Sequence, residues 1–263
     1  MLTPLVPAAD IPLLDWAMLA GGAFFAGLVD AAAGGGGLVQ IPVLMGEFPE
    51  AALATLFGTN KLASIAGTAS AAWRFARRLP VPWDVIGPTA LAALLGAWLG
   101  ANVVSWLPRD VMRPLALVLM AGVLGYTVAH KTLGHRALRP LQARDRTRGA
   151  FIGLLIGCYD GFFGPGTGSF LIFAFVRFLG MDFLQAAAGA KIVNAATNLA
   201  ALAFFTSHVP ILWTVAAVMA LCNMAGAQVG AALALRRGQA FIRGAFLTVV
   251  TLLIARLAWD LRG

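Results

Sequence analysis

The sequence predicts an all-α polytopic membrane protein built from two pseudo-symmetric, inverted repeats. Each repeat is expected to hold about four long transmembrane helices plus a short segment after a glycine-rich break. Three observations carry this. Hydrophobic residues make up 60% and charged residues 11% of the 263-residue chain, where a soluble domain carries about 25% charged residues. The apolar runs leave room for roughly eight to ten spans of about 20 residues and none for a separate soluble domain. Finally, Asp30, Gly34, Gly36, Lys61, Trp83, Gly96, Gly100 and Arg113 recur as Asp160, Gly164, Gly166, Lys191, Trp213, Gly226, Gly230 and Arg243. Each pair stands 130 positions apart (160 − 30, 191 − 61, 243 − 113). A repeat with polar residues at matching depths is the signature of a transporter whose site lies between its halves.

In chain order, apolar stretches cover 13–33, 38–46, 51–73, 84–107 and 111–130, then 149–163, 168–180, 184–207, 210–235 and 240–259. This divides the chain into a first repeat (1–130), a basic linker (131–148) and a second repeat (149–263). The opening residues carry Asp10 and Asp15 where a signal peptide has a basic region, and Ala31–Ala33 falls inside the first repeat, so no cleavage is expected. Gly34 to Gly37 in the first half matches Gly164-Pro165-Gly166-Thr167 in the second. Neither cluster continues a helix comfortably, and backbone freed at membrane depth survives only beside protein or a wet cavity. Each half therefore carries a discontinuous helix or a re-entrant hairpin.

Orientation follows from the basic loops. The linker, Arg74, Arg77 and Arg78 fall on the cytoplasmic side, with Glu47, Glu50 and the acidic N-terminus outside. Counting forward from the linker puts Arg177, Arg236, Arg237 and Arg243 inside and His208 outside; Arg109 and Arg113 are the exceptions. Five crossings per half give this result. An odd number per half inverts the second repeat relative to the first.

The densest polar pattern in any apolar run is Gly58 to Thr68. Lys61, Ser64 and Thr68 are spaced i, i+3, i+7 and so share one helix face; Lys191, Asn194 and Asn198 repeat the arrangement. An uncompensated Lys at the bilayer centre costs at least about 2.5–3.5 kcal/mol, so both stripes should face each other or a cavity. Helices starting at Gly37 and Thr167 would aim free backbone N–H groups and a partial positive charge at the breaks, a setting that binds anionic oxygen. Gly36, Gly37, Thr167, Gly168 and Ser169 join the candidate substrate-binding set on that ground, with Gln40 a further amide in the first half. Asp30 and Asp160, four residues before each break, either couple transport to protons or neutralise a nearby Lys. Gly96/Gly100 and Gly226/Gly230 read as close-packing glycines.

Other classes fare worse. The net charge of +8 sits in short loops rather than on a nucleic-acid face. Cys158 and Cys222 are lone residues in apolar runs, no Walker-type phosphate loop occurs, and three histidines do not supply an enzyme's nucleophile–base pair or metal ligands. No catalytic residue, metal or cofactor is implied. The expected partners are a small-molecule anion and the lipid bilayer, without nucleic acid; a homo-oligomer is left open. An anion channel remains the alternative in kind, and a non-sulfur organic anion the alternative in substrate.

These motifs resemble the TauE/SafE family of sulfite exporters. The likeness rests on Gly27-Leu28-Val29-Asp30-Ala31-Ala32-Ala33-Gly34-Gly35-Gly36-Gly37, on Ile41-Pro42 and on Gly58-Thr59-Asn60-Lys61. In the second half it rests on Gly157-Cys158-Tyr159-Asp160-Gly161-Phe162-Phe163-Gly164-Pro165-Gly166-Thr167-Gly168 and Ala190-Lys191-Ile192-Val193-Asn194. The resemblance implies a multi-pass protein of the cell inner membrane that moves sulfite, sulfonates, thiosulfate or similar anions, in a direction it does not fix.

Overall fold

The computed structural model describes residues 11–103, 141–162 and 164–260. The apolar stretch 111–130, Arg109, Arg113 and most of the basic linker lie outside the described residues. Every regular element among the described residues is helical.

Helix α1 (Leu13–Ala33) stops at Gly34, whose φ of 79° disfavours any residue with a side chain. Its amide donates to the Asp30 carbonyl at 2.8 Å and closes the last turn. Helix α2 (Gly37–Glu47) then runs back along α1. A Cβ on Gly36 would lie 2.7 Å from the Ala26 carbonyl oxygen and from Asp30 Cβ, and one on Gly22 would meet Val43 at 3.0 Å. The first short segment is thus the return arm of a hairpin. Its 11 residues make about 16 Å of helix.

Helix α3 (Leu53–Ala76) carries the first polar stripe. Helix α4 (Trp83–Val103) contains Pro88, which cannot donate to the Asp84 carbonyl one turn back. Arg146 Nε supplies that bond instead, at 3.0 Å. Helix α5 (Ala143–Phe162) begins inside the segment expected to be linker, because the Gln142 N–H donates to Asp145 Oδ2 at 2.8 Å and starts the helix early. Helix α6 (Thr167–Ala174) follows a break whose last residue, Gly166, has φ 84°. It continues as a π-helical turn over Phe175–Leu179. Both pieces contact α5, and the Tyr159 hydroxyl donates across the break to the Pro165 carbonyl at 2.6 Å.

Helix α7 (Phe183–His208) is N-capped by Asp182, which accepts the Gln185 N–H at 2.8 Å. Helix α8 (Trp213–Asp260) joins the last two apolar stretches across a kink at Gly238.

Helices α3 and α7 pack together in the middle, α1 packs on α8, and α4 packs on α5. Glycines set these distances. A Cβ on Gly96 or Gly100 would collide with the carbonyl oxygens of Leu154 and Cys158, and one on Gly226 or Gly230 with those of Phe24 and Leu28. The packing role expected of these four residues is what they have. Large apolar side chains such as Leu91, Leu95, Phe151, Leu155 and Leu221 point outward, while Gln40, Asn60, Lys61, Lys191, Asn194 and Asn223 are buried. Burial has the polarity of a chain solvated by lipid. Among the described residues, α1, Trp83–Asn102, α7 and Trp213–Gly238 are long and apolar enough to cross a membrane.

Candidate functional site

The two breaks meet at the centre. Gly34 lies so close to the backbone of Gly168 and Ser169 that no Cβ fits there. Ser169 Oγ donates to the Ala33 carbonyl at 2.9 Å, which ties the start of α6 to the end of α1. Ser169 therefore joins the hairpins rather than lining open space.

Each aspartate beside a break pairs with the lysine of the other half. Lys61 Nζ stands 2.7 Å from Asp160 Oδ2, and Lys191 Nζ stands 2.8 Å from Asp30 Oδ2. Lys61 also donates to Asn198 Oδ1 at 3.2 Å, and Asn198 Nδ2 donates to Thr68 Oγ1 at 3.2 Å. The polar stripes of α3 and α7 thus meet through a chain of bonds from Asp160 to Thr68. Among the described residues Lys191 is bonded to Asp30 alone, and its Nζ sits 3.4 Å from where a Gly168 Cβ would be.

The chain's own carboxylates occupy the helix ends that sequence reasoning offered to an anion. The Gly36 N–H, beside the start of α2, points to Asp30 Oδ1 at 3.3 Å. At the start of α6, Thr167 Oγ1 lies 2.7 Å from both Asp160 Oδ1 and the Gly164 carbonyl. A helix N-terminus favours negative charge near it, and here each aspartate supplies that charge.

A cavity of about 30 Å³ opens where these groups converge. Its walls include Asp30, Gly36, Gly37, Lys61, Ser64 and Thr68 from the first half. From the second half come Asp160, Thr167, Gly168, Asn194 and Asn198. Of the expected set, Lys191 and Ser169 lie just behind the wall. Besides these the wall holds Gly35, Asn60, Gly164, Gly166 and Asn223. Asn223 donates to Gln40 Oε1 at 3.0 Å and to the Ala23 carbonyl at 3.2 Å. Asn60 Oδ1 and Gln40 Nε2 are buried with no hydrogen-bond partner among the described residues. The signal for Asn223 was an amide in an apolar run, but its counterpart is Ala93, so a search for duplicated residues passes over it.

Stability does not explain this arrangement. A buried ion pair roughly breaks even against well-packed apolar residues, because desolvation offsets its Coulomb attraction. Two such pairs beside a polar cavity bring cations, amides and hydroxyls to one point. That donor set can hold a small oxyanion. No group of three or more His, Cys, Asp or Glu able to hold a metal occurs among the described residues.

Comparison with known proteins places the chain among membrane transporters. The family model described as "Sulfite exporter TauE/SafE" matches residues 19–257. The "Probable membrane transporter protein ORF9" of a Sinorhizobium species is 36% identical over 243 residues, covering 90% of each chain. The "Probable membrane transporter protein YfcA" of Escherichia coli K12 is 34% identical over 92% of this chain and 88% of its own. A "Probable membrane transporter protein" of Haemophilus influenzae is 34% identical over 90% of this chain and 92% of its own. No solved structure matches.

Proposed function

Because this chain belongs to the sulfite exporter TauE/SafE family of membrane transporters, we propose that it is a secondary transporter of a small anion in the inner membrane. The anion is a sulfur oxyanion or an organosulfonate, and it passes through the central cavity. The observation that carries this is the crossing of Lys61–Asp160 and Lys191–Asp30 beside the cavity. An anion entering there meets cations already desolvated, so it gains the interaction without the full cost of burying them. The proposed binding set is Lys61, Ser64, Thr68, Lys191, Asn194 and Asn198, with Gly36, Gly37, Thr167 and Gly168 at the helix ends. Ser169 holds the two tips together.

The same reading makes 1–130 and 149–263 two inverted halves about the linker. It is supported by contacts that recur with partners exchanged: Gly96 with Leu154 and Gly226 with Phe24, Gly100 with Cys158 and Gly230 with Leu28. Each shifts by 130 positions in opposite directions, as a two-fold relation requires. Alternating access then amounts to rocking one half against the other around the crossed pairs.

A thermal-shift screen of the purified protein against sulfite, thiosulfate, methanesulfonate and acetate tests the substrate class, since a ligand of the native state raises the melting temperature. A sulfur anion should give the largest rise, and Lys61→Ala or Lys191→Ala should abolish it while the protein stays inserted. Unchanged shifts in both variants would overturn the site, and a rise with acetate alone would move the substrate to carboxylates. Unsaturable flux in proteoliposomes would make the protein a channel.

A further inference from the structure

We propose that Asp30 takes up one proton with each anion bound, so that transport is proton-coupled through the Asp30–Lys191 pair while Asp160–Lys61 stays ionised. The inference rests on the anion-site reading above and specifies its coupling.

Charge balance requires a compensating cation. Two ammonium groups and two carboxylates converge here as pairs, Lys61 with Asp160 and Lys191 with Asp30. The empty site is therefore neutral. A monoanion leaves it at −1 in surroundings where an unpaired charge is costly. A proton on one carboxylate restores neutrality for a monoanion and halves the excess charge for a dianion such as thiosulfate. It also turns an acceptor that repels the anion into a hydroxyl that donates to it.

The two carboxylates differ in how firmly they are held. Asp160 has a 2% exposed side chain, with Lys61 at 2.7 Å and the Thr167 hydroxyl at 2.7 Å. Asp30 has a 13% exposed side chain, with Lys191 at 2.8 Å and one long bond from the Gly36 amide at 3.3 Å. The residue that matches Thr167 is Gly37, which has no hydroxyl to give. Asp160 is held closely by an ammonium and a hydroxyl and Asp30 by an ammonium and one long amide contact, so Asp160 is the anchored partner and Asp30 the exchangeable one.

Among the described residues no other titratable group competes near Asp30. Lys191 faces it from α7, and Lys61 and Asp160 share its cavity from α3 and α5. Helix α6 has no titratable residue, and Glu47 lies at the far end of α2. Helix α8 meets this stretch of α1 with Gly226 and Gly230. When the anion enters, the proton comes from water on the side to which the cavity is open. Lys191 then gives its charge to the anion, and release on the other side returns the proton.

The experiment uses methanesulfonate and thiosulfate, whose charge is fixed throughout the range in which carboxylates and histidines titrate. Any proton taken up on binding therefore belongs to the protein. Full-length protein in weakly buffered detergent is titrated with each anion while a pH-indicator dye is read. The expected result is about one proton per bound methanesulfonate, with Kd rising about tenfold per pH unit over the range where uptake is seen. Asp30→Asn should bind with no linked proton and a Kd flat in pH. Asp160→Asn should keep the uptake per bound anion even where its affinity falls. Binding without uptake by the wild type, or unchanged uptake in Asp30→Asn, overturns the proposal. Should Asp30→Asn fail to fold, loss of uptake in Asp160→Asn assigns the proton to the other carboxylate and overturns it equally. If neither anion binds, the anion site itself fails and the coupling with it, an outcome distinct from binding without a proton.

Discussion

Asp30 and Lys61 stand 130 positions before Asp160 and Lys191, yet the two lysine–aspartate pairs these residues form are held differently. Asp160 is gripped by an ammonium and a hydroxyl, and its Lys61 has Asn198 in reserve. Asp30 has Lys191 and one stretched amide bond. The divergence extends around the cavity: Asn60 faces it where the other half has Ala190, and Asn223 where the other half has Ala93. The glycines that set helix distances, the lysines and the aspartates all recur 130 positions apart, whereas Asn60, Thr167 and Asn223 do not. Under the proposed coupling, one crossed pair is the anchor and the other the exchangeable partner.

The largest expected effect separates the pairs directly. Removing one member of a buried pair typically costs about 3–5 kcal/mol, and Asp30→Ala should reach that range because it leaves the fully buried Lys191 ammonium with no partner among the described residues. Asp160→Ala should cost clearly less, since Lys61 keeps Asn198 and the Thr167 hydroxyl keeps the Gly164 carbonyl. Thermal or chemical melts of the purified variants read the difference, and equal losses would erase it. A Lys61→Asp/Asp160→Lys exchange should recover part of the single-variant loss, as coupled neighbours do.

Next come the glycines, where the halves should behave alike. Gly100→Val and Gly230→Val each drive a side chain into a carbonyl of the facing helix, at a cost of about 1–3 kcal/mol or more. Similar melting losses support equivalent packing, and a large inequality would restrict the equivalence to sequence. The smallest effects concern the unduplicated amides. Asn223→Ala strands Gln40 and should cost about 1–3 kcal/mol. Asn60→Ala removes an oxygen without a partner among the described residues, so melting should barely move while methanesulfonate affinity falls several-fold. A melting loss in Asn60→Ala as large as in Asn223→Ala would mean that Asn60 is structural.

Much of this was legible in the sequence because lipid makes polar residues expensive. Lys61 and Lys191 stood out against apolar runs, and helical spacing placed Ser64, Thr68, Asn194 and Asn198 beside them. The glycine clusters marked the ends of α1 and α5 because φ near +80° excludes most other residues. Less legible was the crossed pairing. Spacing along the chain ties Asp30 to its own break but carries no information about which lysine folds onto it. Ser169 and Thr167 looked alike as hydroxyls near a helix start, yet one faces the Ala33 carbonyl and the other Asp160. Two residues of helical rotation, about 200°, decide that. Asn223 was not legible because the matching position holds Ala93, so the repeat does not set this amide apart.

The central claim is that a small oxyanion binds at the crossed pairs. Selenate, a sulfate analogue whose heavy atom scatters anomalously, tests it most directly when soaked into crystals of protein shown to bind it in solution. The account predicts an anomalous peak in the central cavity, within hydrogen-bond reach of Lys61 Nζ, with the Asp30 carboxylate turned away from Lys191. A peak confined to the basic surface around Arg144–Arg148 or Arg236–Arg237, with both pairs intact, would contradict it.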